Sequence, residues 1–549
     1  MHVLYIYGGK SDKDIMVERD ATLSSYHLGL GSITGPGVNN INNSALLNDI
    51  ALENSNTYSE YIYSQNHKFI SQGLVFGSNL SLYFLSDLSC KRSELFSTYS
   101  DYCNAVLLKR YILENNVNQV KVDSVSHEFL LMIKSILGAI PCQSSNIIVK
   151  RGRLITMFAR YFVFICKTIV SIALGKLVIS KNVEPARQTG NFFLTRYPLH
   201  LSNNLKEEKY GELAKNGFFL ASIITDGFHQ NVGIVDFLKS LRKLSFFNRV
   251  YVLDRYLRVS DVLHSLVLFF QVLRGFLRLS KSEFVFNSVD LSAHIRYEII
   301  FSMLRIPRLI MWNKPLIRFV KDQKVKSLYY YLHEYTYGRM FTYIFKNHSP
   351  NTRLIGFQHG PASMRKILYM AAKNELSDGN CSLNSFPVPD KVLAEDTHSS
   401  NIYKAAGYSN VQVMDKVYRL AYLKNIGRDN INSNLILIAP GLHDGKFLLE
   451  FLRNTILDQP HRQFVLKVHP RADNRYVSDF FYLKNLEIKV NHIESLLSQV
   501  SKVYVTYSSI AIEASMLGID VEVIDLPGRV NESPLYDEEF LSCIGDIAY

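Results

Sequence analysis

Short apolar runs alternate with helix-like stretches along most of this chain, and that alternation constrains its fold more than any other feature. Between residues 190 and 385 the runs are FFLTRY, FFLASIIT, RVYVLD, EFVFNS, SLYYYL and RLIGFQ. Between residues 386 and 549 they are DKVLAED, NVQVMD, LILIAPG, QFVLKVHP, KVYVTYSS and VEVIDLPG. Apolar strands separated by helices are typical of parallel sheets covered on both faces. We therefore predict an α/β protein with two doubly wound domains facing a cleft between the carboxyl ends of their sheets.

The first 189 residues of the 549-residue chain differ from this pattern. Residues 1–128 mix β-rich runs with helical stretches and predict an N-terminal α/β region. The next segment has no Asp or Glu from 129 to 183 but holds eight Lys or Arg residues, which predicts a basic, apolar helical region. The expected limits are therefore 1–128 and 129–189 for these two regions, then 190–385 and 386–549 for the two doubly wound domains.

The basic, apolar region is a candidate for contact with a membrane surface. Its apolar stretch is interrupted by Arg160, Lys167 and Lys176, which are costly at the centre of a bilayer but tolerated on a helix lying among lipid headgroups. The side chains expected to turn toward lipid are Phe158, Phe162, Ile165 and Ile169. A second stretch, 262–273, has the same character. The alternative is that both are buried core helices with charges at their rims.

Composition narrows the partners and the compartment. The formal net charge of +12 favours an anionic partner, which includes nucleic acid, an acidic or phosphorylated sugar and an anionic membrane face. The six cysteines lie far apart without a C-x-x-C pair, which argues against a disulfide scaffold or a zinc ribbon. The N-terminus lacks the features of a signal peptide, and no uncharged apolar stretch is long enough to span a bilayer. We expect a cytoplasmic protein, peripheral on the inner face of the cytoplasmic membrane.

One candidate phosphate site lies in the segment KVYVTYSSIAIEASMLG. It predicts a strand followed by a turn and a helix that begins at Ser508 or Ser509. Two serines at a helix start are first of all capping residues. At the carboxyl end of a parallel strand, however, the same hydroxyls and N–H groups suit a phosphate. Glu513 follows one turn later and is a candidate for ribose hydroxyls, with a solvated helix residue as the alternative.

Two further strand ends carry groups suited to a nucleotide. QFVLKVHPRAD places Lys467, His469 and Arg471 on one side of the chain around Pro470, and three such groups suit a diphosphate or phosphodiester. A metal-ligating role for His469 lacks a second His or Cys nearby. LILIAPGLHDGKF is one residue short of a P-loop and lacks its Ser or Thr, but a glycine loop over a nucleotide is retained for Gly441 and His443, with Lys446 nearby.

Three residues are candidates for a general base that deprotonates an acceptor hydroxyl. Glu334 follows His333 at the end of the strand in SLYYYLHEYTY. His359 stands in the turn G-F-Q-H-G-P, and Asp226 follows the strand in IITDGF. The alternative for Glu334 is a surface charge. Each of the three stands at a strand end or turn that is expected to face the cleft, and the residues alone do not choose among them.

Several of these motifs resemble bacterial GT-B glycosyltransferases of capsule and lipopolysaccharide assembly. The resemblance is to enzymes that use CMP-activated acidic sugars, such as sialic acid, Kdo and related nonulosonates. It rests on His469-Pro470, on Ser508-Ser509, on the Q-H-G element at 358–360 and on YLHEYTY, and it covers about residues 190–530.

This resemblance implies a GT-B-like fold of two Rossmann-type domains, with the acceptor side at 190–385 and the nucleotide-sugar side at 386–549. It also implies that His469, Pro470 and the serine pair bind the phosphate and ribose of CMP. The Asp/Glu-Asp/Glu-Gly motif that supplies the base in several sialyltransferase families is absent here. The base therefore stays open among Glu334, His359 and Asp226.

The motifs together with this resemblance imply an inverting, metal-independent transfer of an acidic sugar from its CMP donor to a glycan or lipid-linked glycan hydroxyl, with no cofactor. One alternative is an enzyme of the same fold that uses a CDP-polyol or a UDP-sugar. A second is a sugar-nucleotide epimerase. A nucleic-acid-binding protein is favoured only by the net charge and lacks a recognisable binding module, so no nucleic-acid partner is expected.

Overall fold

The computed structural model describes residues 1–549 except 11, 15–21, 150–151, 179–187, 203, 206, 208, 225–231, 359, 429–430, 470–471, 473 and 490–492. Three larger sheets, which we call N-terminal, middle and C-terminal, organise the described chain, and every strand pair within them is parallel. The α/β class and the two doubly wound sheets predicted from the sequence are confirmed.

The N-terminal region forms a doubly wound sheet of its own. The strands of this region are β1 (His2–Tyr7), β2 (Lys13–Asp14), β3 (Thr22–His27), β4 (Ile33–Thr34), β5 (Val38–Asn40), β6 (Val75–Phe76), β7 (Leu80–Ser81), β8 (Gln119–Asp123) and β9 (Cys142–Ser145), of which five form the larger sheet. The helices are α1 (Ser44–Ser64), α2 (Asn66–Ser71), α3 (Asp87–Cys90), α4 (Thr98–Glu114), α5 (His127–Leu137) and the connecting helix α6 (Gly152–Val178). The sheet order is β5-β3-β1-β8-β9.

Strand β9 corrects one predicted boundary. It lies within 129–189, which the sequence analysis expects to be helical, and it pairs with β8 as the fifth strand of the sheet. Helix α5 ends at Gly138, whose φ of 56° turns the chain back toward the sheet. The N-terminal sheet therefore continues past residue 128 because this turn completes one more strand–helix–strand unit.

The middle sheet has seven strands and is the largest. The strands of this region are β10 (Thr189–Arg196), β11 (Phe218–Ser222), β12 (Val250–Val252), β13 (Val285–Phe286), β14 (Val289–Asp290), β15 (Lys324–Tyr331), β16 (Arg353–Phe357), β17 (Leu376–Ser377), β18 (Phe386–Pro387), β19 (Lys391–Ala394) and β20 (Val411–Val413). The helices are α7 (Ile234–Leu244), α8 (Val259–Leu279), α9 (Ser292–Ile310), α10 (Asn313–Asp322), α11 (Thr336–His348) and α12 (Thr397–Ala405). The sheet order is β12-β11-β10-β15-β16-β19-β20.

Two expectations for this region are wrong. The runs DKVLAED and NVQVMD become β19 and β20, which pair with the middle sheet, so that sheet extends to Val413 instead of ending at residue 385. The strand–helix alternation continues through residue 386 without a break that would mark a boundary. The run EFVFNS forms only β13, in a hairpin with β14, because Asn287 and Ser288 adopt positive φ values and reverse the chain.

The C-terminal sheet repeats the same winding with five strands. They are β21 (Asn432–Ala439), β22 (Gln463–Lys467), β23 (Leu486–Lys489), β24 (Val500–Val505) and β25 (Asp520–Val523). The helices are α13 (Gly445–Leu457), α14 (Ile493–Leu497), α15 (Ile510–Met516) and α16 (Glu538–Cys543). The order β23-β22-β21-β24-β25 puts the winding reversal between β21 and β24. Ligands of open α/β sheets bind at the carboxyl side of such a reversal.

The apolar core shows how the three sheets are joined. The N-terminal and middle regions share one continuous cluster of buried apolar side chains. The C-terminal sheet instead has separate clusters against its two faces. The C-terminal region therefore has apolar cores of its own, and its contacts with the rest of the described chain include ion pairs such as Arg419 with Glu395 and Arg365 with Asp537.

Candidate active site

The C-terminal sheet brings most of the predicted nucleotide-binding residues to one edge. Strands β22, β21 and β24 are neighbours, so the segments that follow their carboxyl ends lie side by side. Gly441 and His443 follow β21. Lys467 ends β22, with His469 two residues beyond it. Ser508, Ser509 and Glu513 follow β24, whereas Pro470 and Arg471 lie outside the described residues.

The loops at this edge are closely packed against each other. A Cβ atom on Gly441 would lie only 2.6 Å from the ring of Tyr507, so a larger residue at 441 would displace the ring. The Thr506 hydroxyl donates a hydrogen bond to the buried carboxylate of Asp444 and ties the turn after β24 to the loop after β21. Burial raises the pKa of Asp444, and the bond from Thr506 opposes that rise. The edge is thus held in one arrangement by direct contacts.

The basic groups at this edge differ in exposure. His443 is exposed, whereas Lys467 and His469 are half-buried. Burial lowers the pKa of Lys467, and the nearby Glu494 carboxylate opposes that shift. Lys446, which the sequence analysis placed near the nucleotide, instead pairs with Asp479 at 2.7 Å. Lys467 and His469 are therefore the two partly buried basic groups among the predicted residues at the carboxyl end of β22 that the structure describes.

The serine pair and Glu513 form a separate polar group. Both serines are half-buried, and the Ser509 hydroxyl lies 3.5 Å from a Glu513 carboxylate oxygen. Glu513 is buried, and its other oxygen accepts a hydrogen bond from the Tyr422 hydroxyl at 2.6 Å. Glu513, predicted to bind ribose hydroxyls, is therefore held by protein groups in this structure.

An arginine joins this group to the middle sheet. Arg419 donates through Nε and Nη2 to the two carboxylate oxygens of Glu395, both at 2.6 Å. Its Nη1 lies 3.5 Å from Glu513. Glu395 follows β19, and its backbone N–H donates to Gln358 Oε1 at 2.9 Å, in the turn that follows β16. The carboxyl ends of the middle and C-terminal sheets are thus connected through one chain of hydrogen bonds and ion pairs.

The predicted base Glu334 lies inside the protein. It follows β15 after Leu332, whose φ of 63° turns the chain inward, and only 3% of Glu334 is exposed. One carboxylate oxygen accepts a hydrogen bond from the Tyr403 hydroxyl and lies 3.2 Å from His333 Nε2. The other, Oε2, has no hydrogen-bond partner among the residues that the structure describes. Burial also lowers the pKa of His333, so a charged imidazole is disfavoured beside this carboxylate.

The other two predicted bases, His359 and Asp226, lie outside the described residues. The neighbouring Gln358 is fully buried, and its side-chain amide donates to the Gly360 carbonyl at 2.9 Å and to the Ser399 hydroxyl at 3.0 Å. The amide therefore ties Gln358 to Gly360 and to Ser399 of α12.

A polar cluster that the sequence analysis missed lies where all three regions meet. It contains Glu532 from the segment after β25, Lys366 from the segment after β16, and Ser93 and Glu94 from the N-terminal region. Burial raises the pKa of Glu532 to about 7, although Lys366 and Ser93 act in the opposite direction. Burial alone would raise the pKa of Glu94. The charges of Arg92, whose Nε donates to Glu94 Oε1 at 2.8 Å, and of Lys366 outweigh burial and hold that pKa below its usual range. One carboxyl group of the cluster therefore titrates near neutrality.

Only a weak sequence pattern marks Glu532 as a candidate site residue. The sequence NES follows the turn after VEVIDLPG, and an acid beyond a strand end is common in a chain with 49 Asp and Glu residues. Only the contact with residues 93 and 366, which are distant in sequence, distinguishes this acid. Among the described residues, no group of three or more His, Cys, Asp or Glu side chains lies close enough to hold a metal ion.

No protein-family model and no curated protein matches the chain. Among solved structures, it is similar to a UDP-GlcNAc 2-epimerase from Neisseria meningitidis at 12% identity and a TM-score of 0.32, over 61% of this chain and 81% of that one. The wall teichoic acid polymerase TagF aligns at 13% identity and a TM-score of 0.30, over 72% and 90%. A Thermobaculum terrenum O-GlcNAc transferase mutant aligns at 9% and 0.29, over 92% and 87%.

Proposed function

We propose that this chain is an inverting glycosyltransferase that moves an acidic sugar from a CMP donor to a hydroxyl of a glycan or lipid-linked glycan. The proposal is supported by one observation above all: the carboxyl ends of two doubly wound sheets are joined through Gln358, Glu395, Arg419 and Glu513. The C-terminal sheet edge also carries the half-buried Lys467 and His469, and Glu532, whose pKa is raised to about 7, follows the last strand of that sheet. Open α/β proteins bind ligands at such carboxyl ends.

The donor side of the proposed site is the edge of the C-terminal sheet. Lys467 and His469 would face the phosphate of CMP, and the hydroxyls of Ser508 and Ser509 would donate further hydrogen bonds. As the bond between the anomeric carbon and the phosphate oxygen breaks, both bonding electrons leave with CMP. Groups fixed in advance beside that developing negative charge lower the barrier, because they do not have to reorganise during the reaction.

The acceptor side uses the polar cluster. The acceptor oxygen attacks the anomeric carbon from the face opposite the leaving CMP, which inverts the configuration, and the hydroxyl proton passes to the base. We assign the base to Glu532, because a pKa of about 7 leaves a large deprotonated fraction at neutral pH and still allows the group to hold a proton. The covered position of Glu334 makes it the less accessible carboxylate.

A panel of nucleotides tests the donor. CMP should raise the melting temperature of the full chain more than CDP or UDP at equal concentration, because a ligand that binds only the folded state stabilises it. Incubation with a CMP-activated acidic sugar and a glycan acceptor should release CMP and form an inverted glycosidic bond, read by NMR.

Other results in the same experiment would select an alternative. Stabilisation by UDP or CDP alone would favour a UDP-sugar or CDP-polyol enzyme. Isomerisation of a nucleotide sugar incubated without acceptor would favour an epimerase. If none of the three nucleotides stabilised the chain, the proposed site would be wrong.

A further inference from the structure

The helix α6 has two apolar faces. One packs into the fold through Tyr161, Phe164 and Ile172, which are each at most 5% exposed. The opposite face is exposed and is also apolar over the whole length of the helix. Its residues recur at helical spacing and are Ile155, Ala159, Phe162, Val163, Cys166, Val170, Ala173, Leu174 and Leu177. At 1.5 Å per residue the stripe is about 33 Å long.

This arrangement differs from the one expected from the sequence. Ile165 was expected to turn toward lipid, but it is 3% exposed and belongs to the core, while Val163 is 60% exposed. By length and composition alone, α6 and α8 could each cross a membrane. Their packed faces argue against this, since a spanning position would expose Tyr161 and its buried neighbours to lipid and separate α6 from the fold.

The exposed stripe continues onto α8. Helix α8 packs beside α6, and the ring of Phe269 lies 6.3 Å from Phe162 and 5.2 Å from Phe270. Phe270 is 57% exposed. The exposed apolar side chains of α8 are Leu263, Val267, Phe270 and Leu277. We call the exposed apolar residues of both helices the two-helix face. Its α6 and α8 parts adjoin where the exposed Phe162 contacts Phe269 of α8. Monomeric soluble proteins rarely expose large apolar patches.

Positive charge flanks the two-helix face. On α6, Arg160 and Lys167 lie on one flank of the stripe and Lys176 on the other, each roughly 80 to 100° around the helix from its centre. No Asp or Glu occurs from residue 129 to 183. On α8, a shallow depression of about 270 Å³ is lined by Phe270, Leu273, Leu277, Arg274, Arg278 and Lys281. The acid of α8, Asp261, is buried and paired with Arg318.

We infer that the two-helix face docks the protein on the surface of an anionic lipid bilayer, with both helices parallel to the membrane plane. The apolar stripe enters the boundary between headgroups and acyl chains, and the flanking Lys and Arg side chains contact lipid phosphates. Charge complementarity selects this occupant, because a second copy of the chain would bring the same cations against each other. The inference does not depend on the proposed reaction.

Co-sedimentation of the full chain with vesicles tests whether the two-helix face docks on an anionic bilayer. The wild-type protein should bind vesicles of phosphatidylcholine with phosphatidylglycerol, bind pure phosphatidylcholine less, and be released as NaCl is raised from about 0.05 to about 0.5 M. Val163→Glu and Phe270→Glu should each weaken binding by about tenfold or more. Leu113→Glu is the matched control, because Leu113 is 71% exposed on α4, outside the two-helix face, and this variant should bind as the wild type does.

Cys166 provides a second readout that requires no substitution. It lies on the two-helix face and is exposed, so anionic vesicles should slow its labelling by maleimide, measured by peptide mass spectrometry against Cys543. The inference is overturned if the wild type ignores anionic vesicles or if the two Glu variants bind as well as Leu113→Glu. It is also overturned if light scattering shows a wild-type dimer that Val163→Glu dissociates, since the face would then be covered by a second copy.

Discussion

The carboxyl ends of the middle and C-terminal sheets present polar residues in the same sequence context but in different environments. At the C-terminal sheet, Lys467 and His469 end a buried strand and remain half-buried. At the middle sheet, His333 and Glu334 also end a buried strand, yet both are only 3% exposed. The first pair keeps part of its surface exposed, whereas the second pair is covered by other parts of the protein.

The cause of this difference lies far away in the sequence. Glu334 is covered by Tyr403 of α12, a residue 69 positions later, and the His333 ring packs against Gly356 of β16. A polar residue after a buried strand therefore indicates position, at the carboxyl edge of a sheet, but not accessibility. Accessibility depends on which later segments cover that edge.

The largest expected effect is a loss of turnover that distinguishes Glu532 from Glu334. Glu532→Gln should reduce turnover about 10²- to 10⁴-fold, as loss of a general base does. In the wild type, kcat/KM should fall as the pH drops below about 7, because protonation removes the base. The variant should lose this acid limb. Glu334→Gln, measured beside it, should keep the limb.

Glu538→Gln is the control for this pair, since Glu538 is an exposed acid six residues further along the chain. It should match the wild type in both rate and pH profile. An acid limb that disappears in Glu334→Gln and persists in Glu532→Gln would reverse the assignment of the base.

The link between the two edges gives the next largest effect. Arg419→Met should lower the free energy of unfolding by about 3–5 kcal/mol, because Glu395 and Glu513 would stay buried without their cation. Urea denaturation measures the change. Lys416→Met removes an exposed partner of Glu212 and should leave the denaturation midpoint unchanged. Equal midpoints for both variants would show that the Arg419 link does not hold the edges together.

Strand periodicity was enough to predict the sheets but not which sheet each strand joins. The runs that became β10, β15, β21 and β24 are apolar and flanked by helices, and each pairs in a parallel sheet as expected. The assignment of β19 and β20 was wrong because the sequence pattern that marks a strand is the same whichever neighbour it pairs with. Hydrogen-bond pairing, which joins distant residues, decides that assignment.

The candidate site was predictable only in part for the same reason. The local signals around Lys467, His469 and Ser508 placed them at one edge, and the neighbouring positions of β22, β21 and β24 follow that expectation. Glu532 was missed because its distinguishing neighbours, Ser93 and Lys366, come from two other regions of the chain. Burial, which raises its pKa, is a property of that assembly.

Glu298 is a buried acid whose pKa is not lowered by a nearby cation, so it shows the effect of burial on a carboxyl group. Burial raises the pKa of Glu298 from 4.5 to about 8, and Thr98 donates to its carboxylate. Its contribution to stability is complete below about pH 4.5 and is lost as the pH rises through 8, at up to about 1.4 kcal/mol per pH unit. Glu298→Gln should therefore unfold at higher urea than the wild type at pH 8, with a smaller difference at pH 5.

The exposed Glu283→Gln is the control for that measurement and should follow the wild type at both pH values. A gain for Glu298→Gln that is the same at pH 5 and pH 8 would show that ionisation of this acid does not limit stability. It would also weaken the use of burial to explain the pKa of Glu532.

Calorimetric titration with CMP tests the central claim most directly, because strand β22 carries a histidine beyond each end. His469 follows its carboxyl end at the proposed site, and the exposed His461 precedes its amino end. His469→Ala should weaken CMP binding by about tenfold or more, the loss expected for a hydrogen bond to a charged phosphate, and His461→Ala should bind as the wild type does. Equal affinity of both variants for CMP, or no binding by the wild type, would contradict a nucleotide site at this edge.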